Sequence, residues 1–200
     1  QPLQEKAVVL TFDDGRKGIH AQALPILKKY GYTSIIYIVP SWVEGMNIPE
    51  EESYSPFLNW DELTELSAAG FEIGSHSFSH KNLSGLNIME LEKEFSNADT
   101  IIEQKLQRKV KHLAYPYGIY NEDVLSAARS RYETAVTIER GFSKAAGRFA
   151  RQWVLKETSL EMFQRSLVPP TLSVGMIVKD EEKNLPKCLE SVQGLADEII

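Results

Sequence analysis

Residues 7–15 read Ala7-Val8-Val9-Leu10-Thr11-Phe12-Asp13-Asp14-Gly15. The apolar run predicts a buried strand, and it stops abruptly at two adjacent carboxylates and a glycine turn. Working outward, residues 20–30 place Ala23, Leu24 and Leu27 on one helical face, and Gly31 follows as a helix stop. Residues 33–39 are β-branched and aromatic, hence a second strand. Asn59 with Glu62 forms a capping-box pattern that opens a helix ending at Gly70. A short strand over 71–73 then runs into Gly74-Ser75-His76. Asn87 with Glu90 repeats the capping signal, and Leu91, Phe95, Ala98, Ile102 and Leu106 step by four and three along a long helix. Residues 110–114 read as a strand, Asn121 caps a helix to about Arg129, and 134–138 are strand-like. Strands alternating with helices predict an α/β fold.

Composition sets outer bounds. The chain has 200 residues, 42% of them apolar, enough to bury a real core. Basic residues number 22 and acidic ones 28, a net charge of −6, with no Lys/Arg-rich run, so a nucleic-acid partner is not expected. Cys188 is the single cysteine, which excludes an intrachain disulfide framework. No apolar run reaches the roughly 18–20 residues of a membrane span.

Three groups of residues sit at predicted strand ends, where α/β sheets and barrels place their sites. In Asp13-Asp14-Gly15, successive side chains diverge, so the two carboxylates serve different purposes; the plainer reading is a strand-to-helix turn. In His76-Ser77-Phe78-Ser79-His80, histidines four apart converge if the segment turns helically, and imidazole suits zinc-like metals. The plainer reading is two surface histidines, and the glutamate of the metalloprotease motif is absent, position 77 being Ser. Tyr115-Pro116-Tyr117-Gly118 is either a rigid loop with an aromatic wall and a backbone N–H, or simply a good turn.

Together, and in this order, the three groups resemble the polysaccharide deacetylase family (NodB-homology domains, carbohydrate esterase family 4). Leu10-Thr11-Phe12-Asp13-Asp14-Gly15 matches the first family motif, and Glu72-Ile73-Gly74-Ser75-His76-Ser77-Phe78-Ser79-His80 the second. Trp60-Asp61-Glu62-Leu63 up to Ala69-Gly70 looks like the helix before it. The resemblance spans about residues 5–165 and implies a distorted (β/α) barrel, smaller than the eight-unit form. It implies that Asp14, His76 and His80 hold one divalent metal, most often zinc, with cobalt or nickel as alternatives. It implies that Asp13 is the general base, that the Tyr117 backbone N–H steadies the oxyanion, and that Tyr115, Pro116 and Tyr117 form a substrate-binding loop. The implied reaction removes N-acetyl groups from an amino-sugar oligo- or polysaccharide, releasing acetate.

Two departures from the family stand out. Many members carry an arginine two residues before the third-motif proline that orients the base; here that position is Ala114, and Arg148 or Arg151, near Trp153, are the substitutes from a later strand. The usual general acid is a late histidine, but no histidine follows His112, which reads as a strand residue. A catalytically silent glycan-binding module is therefore the rival. An Fe(II) oxygenase with two histidines and a carboxylate is disfavoured by the long helical stripe.

Pro169-Pro170 is the expected boundary, giving a deacetylase-like unit over 1–168 and a further α/β segment over 169–200. Residues 172–178 read as a strand, and 180–192 as an amphipathic helix carrying Leu185, Cys188 and Leu189. Residues 172–192 resemble the opening of a family 2 glycosyltransferase, implying an incomplete nucleotide-sugar-binding domain and a protein coupled to glycan synthesis. The alternative is a strand and helix that complete the first unit. The tail favours a cytoplasmic location, whereas many deacetylases work outside the cytoplasm.

Overall fold

The computed structural model describes residues 7–141, 147–167, 174–178 and 198–199. Its strands are β1 (Ala7–Phe12), β2 (Ile35–Ile38), β3 (Glu72–Ser75), β4 (His112–Ala114), β5 (Thr134–Arg140), β6 (Phe149–Val154), β7 (Val174–Val178) and β8 (Glu198–Ile199). They form one parallel sheet in the order β2-β3-β4-β5-β6-β7-β1-β8, and β1 also pairs with β2, so β1 to β7 close into a ring. The closure is uneven. Strand β1 meets β2 through Thr11↔Ile35 and Phe12↔Ile36, β3 meets β4 at Ser75↔Leu113, and the β5–β6 register shifts between Val136 and Arg140. These short, irregular ladders make the barrel distorted, as the family resemblance implies.

Helices α1 (Leu24–Tyr30), α2 (Pro40–Val43), α3 (Trp60–Ala68), α4 (Ile88–Leu106), α5 (Glu122–Arg131) and α6 (Leu160–Ser166) connect the strands. A π-turn over Ile19–Ala23 leads into α1, which stops at Gly31 with φ 73°. Both expected capping boxes form, Asn59 with Glu62 and Asn87 with Glu90, each satisfying two orphan N–H groups. Asn121 and Ser159 cap α5 and α6. No helix among the described residues is long and apolar enough to cross a membrane.

The two faces of the sheet bury different sets. Ile36 and Ile38 join Leu10, Phe12, Leu63, Leu66, Leu91, Phe95, Ile102 and Leu113 in the main core. Tyr37, between those two isoleucines, belongs instead to a small cluster with Ala114 and Val136. The period of two along β2 thus separates a core under the helices from the barrel interior.

The sequence reading starts a second unit at residue 169. In the fold, β7 lies between β1 and β6, with Val8↔Val174 and Gln152↔Met176 in register. The ring therefore extends past residue 168. The physical reason is that β1 and β6 would otherwise each present an unpaired edge. The paired prolines and the helix expected over 180–192 lie outside the described residues.

Candidate active site

The site is built where β1, β3 and β4 end, with Arg151 reaching it from within β6. After Phe12 the chain turns through two left-handed residues, Asp14 at φ 67° and Gly15 at φ 69°. Asp tolerates that conformation, and a Cβ on Gly15 would come 3.0 Å from Ile38 Cγ2. The turn sends the two carboxylates to different partners, as the sequence reading expects.

Asp14 faces the histidines. His76 follows β3 directly, is 3% exposed, and its Nδ1 lies 2.7 Å from the Ala114 carbonyl oxygen. A carbonyl can only accept, so Nδ1 carries a proton and Nε2 is the nitrogen turned toward Asp14, the orientation typical of a metal-binding imidazole. Nε2 of His76 lies 3.6 Å and Nε2 of His80 3.8 Å from Asp14 Oδ1. One ligand atom from each of the three residues falls within 4.8 Å of the others. Two imidazoles and a carboxylate at that spacing fit one small divalent cation and leave its remaining positions open.

The histidines converge by a different route from the helical turn considered above. Ser77 and His80 adopt left-handed backbone at φ 60° and 56°, and the His80 N–H donates to Ser77 Oγ at 3.1 Å. Glu94 of α4, 7% exposed, fastens this loop: one carboxylate oxygen accepts from the Ser79 N–H at 3.0 Å and the other from its hydroxyl at 2.6 Å. Sequence reasoning missed Glu94. The signal available was an acid beside Phe95 on the apolar stripe. The His80 ring is flanked by Trp42 at 4.7 Å and Tyr117 at 4.6 Å between centroids.

Asp13 faces Arg151, not the histidines. The guanidinium holds it through two parallel bonds of 2.8 Å each, and also donates to Thr11 Oγ1 at 3.1 Å and the Thr137 carbonyl at 2.9 Å. Arg151 is 1% exposed and lies over Tyr37 in the barrel interior. Burial pushes the Asp13 carboxyl up, but Arg151, aided by His76 and His80, outweighs it and holds the pKa below the ordinary value. Of the two arginines considered, Arg151 is the one that pairs with Asp13. Arg148 is exposed and bonds to Tyr120.

The third group divides. Tyr115 is fully buried, with its hydroxyl donating to the Gly147 carbonyl at 2.6 Å, and Pro116 is buried with it. The aromatic wall expected from two tyrosines is therefore one tyrosine wide: the side chain of Tyr115 packs into the core, where its ring meets Tyr120, and does not face a substrate. Trp42 is likewise 2% exposed, so it backs His80 and does not line an open groove. Tyr117, 53% exposed at φ 58°, does reach the site. His112 sits on β4 with Nδ1 2.7 Å from Thr134 Oγ1, a strand residue as read, and lies outside the metal cluster.

Comparisons with known proteins agree with this geometry. The polysaccharide deacetylase family profile matches residues 1–135. The protein YxkH of Bacillus subtilis (strain 168) is 31% identical over 138 residues, covering 68% of this chain and 46% of its own length. The poly-beta-1,6-N-acetyl-D-glucosamine N-deacetylase of Staphylococcus aureus (strain MRSA252) is 28% identical over 130 residues, covering 60% and 43%. The chain thus spans less than half the length of these relatives. Among solved structures, the Streptococcus pyogenes deacetylase PplD in complex with acetate superposes with a TM-score of 0.73 at 26% identity, over 83% of this chain and 72% of that one. A CE4-family pseudoenzyme from Bacillus anthracis shares the fold, with a TM-score of 0.73 at 19% identity over 99% and 64%. With the profile covering most of its length and the three motif groups gathered at one end of the barrel, the chain belongs to the polysaccharide deacetylase family.

Proposed function

We propose that the chain is a metal-dependent N-deacetylase of amino-sugar glycans, the substrate class of its S. aureus relative. The observation that carries this reading is the Asp14–His76–His80 cluster standing beside an arginine-clamped Asp13. A divalent ion held by those three residues would polarise the acetamide carbonyl and acidify a water. Zinc suits the two-imidazole, one-carboxylate donor set, with cobalt or nickel able to replace it.

Asp13 takes the proton from the attacking water, and Arg151 holds its carboxylate in one orientation and in its ionised form. The Tyr117 backbone N–H donates to the oxygen that gains charge as the carbonyl carbon becomes tetrahedral. The carbon–nitrogen bond then breaks, the amine gains a proton, and acetate leaves. His112 is bonded to Thr134 outside the cluster, so this reading assigns the return of the water proton to Asp13 itself.

The second reading is a glycan-binding module without turnover. Two measurements separate them. Metal-stripped protein should bind one zinc per chain, and His76→Ala should abolish it. Zinc-loaded protein should release acetate from N-acetylglucosamine oligomers, whereas Asp13→Asn should bind zinc normally and lose about 10²–10⁴-fold in rate. Zinc binding and glycan binding with no acetate release would establish the silent module instead.

Coupling to glycan synthesis is a further part of the proposal, resting on the resemblance of residues 172–192 to a glycosyltransferase opening. The pairing of β7 within the barrel weighs against it. Calorimetric binding of UDP-N-acetylglucosamine by the natural polypeptide would support the coupling, and its absence would remove it. The cytoplasmic location favoured above stands or falls with this coupling.

A further inference from the structure

Arg16 follows the Asp14-Gly15 turn, and nothing in the deacetylase chemistry uses it. Its residue is 4% exposed, an unusual burial for an arginine. The guanidinium lies between two rings, 4.5 Å from the centre of Tyr54 and 4.2 Å from that of Phe57. Nη1 donates to the carbonyls of Glu52 at 2.7 Å and Ser55 at 2.9 Å, and Nη2 pairs with the Glu52 carboxylate. All of these partners belong to one short segment, residues 52–57. The backbone adds Lys17 N–H to the Pro56 carbonyl at 2.9 Å and Leu58 N–H to the Gly15 carbonyl at 2.8 Å. Within 50–58 the one regular piece is the 3₁₀ turn Glu50–Glu52. A planar fork that binds two carbonyls and a carboxylate while lying over two rings is therefore the main fastener of this segment.

The fastened segment borders the site. Phe57 packs 5.0 Å from Trp42, Trp42 packs 4.7 Å from His80, and His80 packs 4.6 Å from Tyr117.

We propose that Arg16 is a positioning residue for glycan binding: by tying residues 50–58 to the Asp14 turn it sets the bank along which an extended sugar chain passes Tyr117. This rests on the deacetylase reading. Loosening the bank weakens contacts made to sugars flanking the reacting one, while Asp13, Arg151 and the metal ligands keep their own supports. Such a loss appears in KM and not in kcat.

The test is steady-state acetate release by the zinc-saturated chain from a β-1,6-linked N-acetylglucosamine pentamer. Arg16→Met should raise KM about 10-fold with kcat within about twofold, the signature of lost uniform binding. Arg16→Lys keeps the charge without the fork and should recover part of the loss. Tyr54→Leu removes one stacking face at a side chain 57% exposed, so it decides the matter if Arg16→Met does not fold; its KM should rise roughly threefold. Folded variants with KM within about twofold of wild type, or a loss carried by kcat, overturn the proposal while leaving the deacetylase reading intact. Wild-type protein that releases no acetate from the pentamer overturns the deacetylase reading, and this proposal with it.

Discussion

At the residue scale the decisive pair is Asp13 and Arg151, separated by 138 positions in sequence and joined by two bonds of 2.8 Å. A buried guanidinium opposite a carboxylate does two things at once: it fixes the orientation of the acceptor oxygens and it lowers the carboxyl pKa. The sign of a substitution follows. Burial raises the Asp13 pKa and Arg151 lowers it, so Arg151→Met removes the main influence that opposes burial. The acid limb of the kcat/KM profile should then move to higher pH, and kcat at neutral pH should fall at least about 10-fold. An unmoved acid limb in a folded, zinc-loaded variant would show that Arg151 does not tune the base. Asp13, Asp14, His76 and His80 were legible as candidate site residues because their motifs are contiguous in sequence. Arg151 was legible as one of two candidates, since sequence spacing cannot say which arginine on a late strand turns into the barrel. The burial of Tyr115 was not legible, because an aromatic in a turn reads the same whether it faces water or core; in the fold its ring lies in the core with its hydroxyl donating to Gly147.

At the element scale, helix α4 serves both stability and the site. Its capping box at Asn87 and Glu90 was readable from four residues, because that signal is local. Asn87→Ala should cost about 1 kcal/mol, or about 2–4 °C in Tm for a domain of this size, without changing zinc affinity. Glu94 acts differently. It was not legible, because a glutamate on an apolar stripe shows its purpose only when the partner loop is seen. Its two bonds to Ser79 hold the loop that ends in His80, so Glu94→Gln keeps the shape but replaces two charge-assisted bonds by weaker ones. Zinc affinity should fall about 10–100-fold by competition with a chromophoric chelator, the usual cost of losing a support behind a ligand. Ser79→Ala should show a smaller loss in the same direction. Equal zinc affinity in Glu94→Gln and wild type would mean that the left-handed turns at Ser77 and His80 hold the loop unaided.

At the scale of the whole molecule, the question is what closes the barrel. The alternation of apolar runs and helices made an α/β fold legible, and the resemblance to the family implied the distorted barrel. The role of the last strand was not legible, since paired prolines at 169–170 look like a border whether the next strand starts a new unit or returns to the old one. In the fold β7 returns: it contributes parallel ladders to both β1 and β6, and β1 carries Asp13 and Asp14 at its end while β6 carries Arg151. Removing β7 would open two edges and free from each other the strands that present Asp13 and Arg151. A chain ending at residue 168 should therefore unfold at a Tm lower by roughly 10 °C or more, given about 2–4 °C per kcal/mol and the loss of two ladders. It should also aggregate through its exposed edges, and its acetate release should fall more than its zinc binding, because Asp14, His76 and His80 are tied by β1, β3 and the Glu94 loop without β7. Calorimetry and a zinc titration on the two chain lengths decide it. If the shorter chain melts at the same temperature with the same activity, the ring is stable without β7, and residues 169–200 are a separate unit as the prolines suggest.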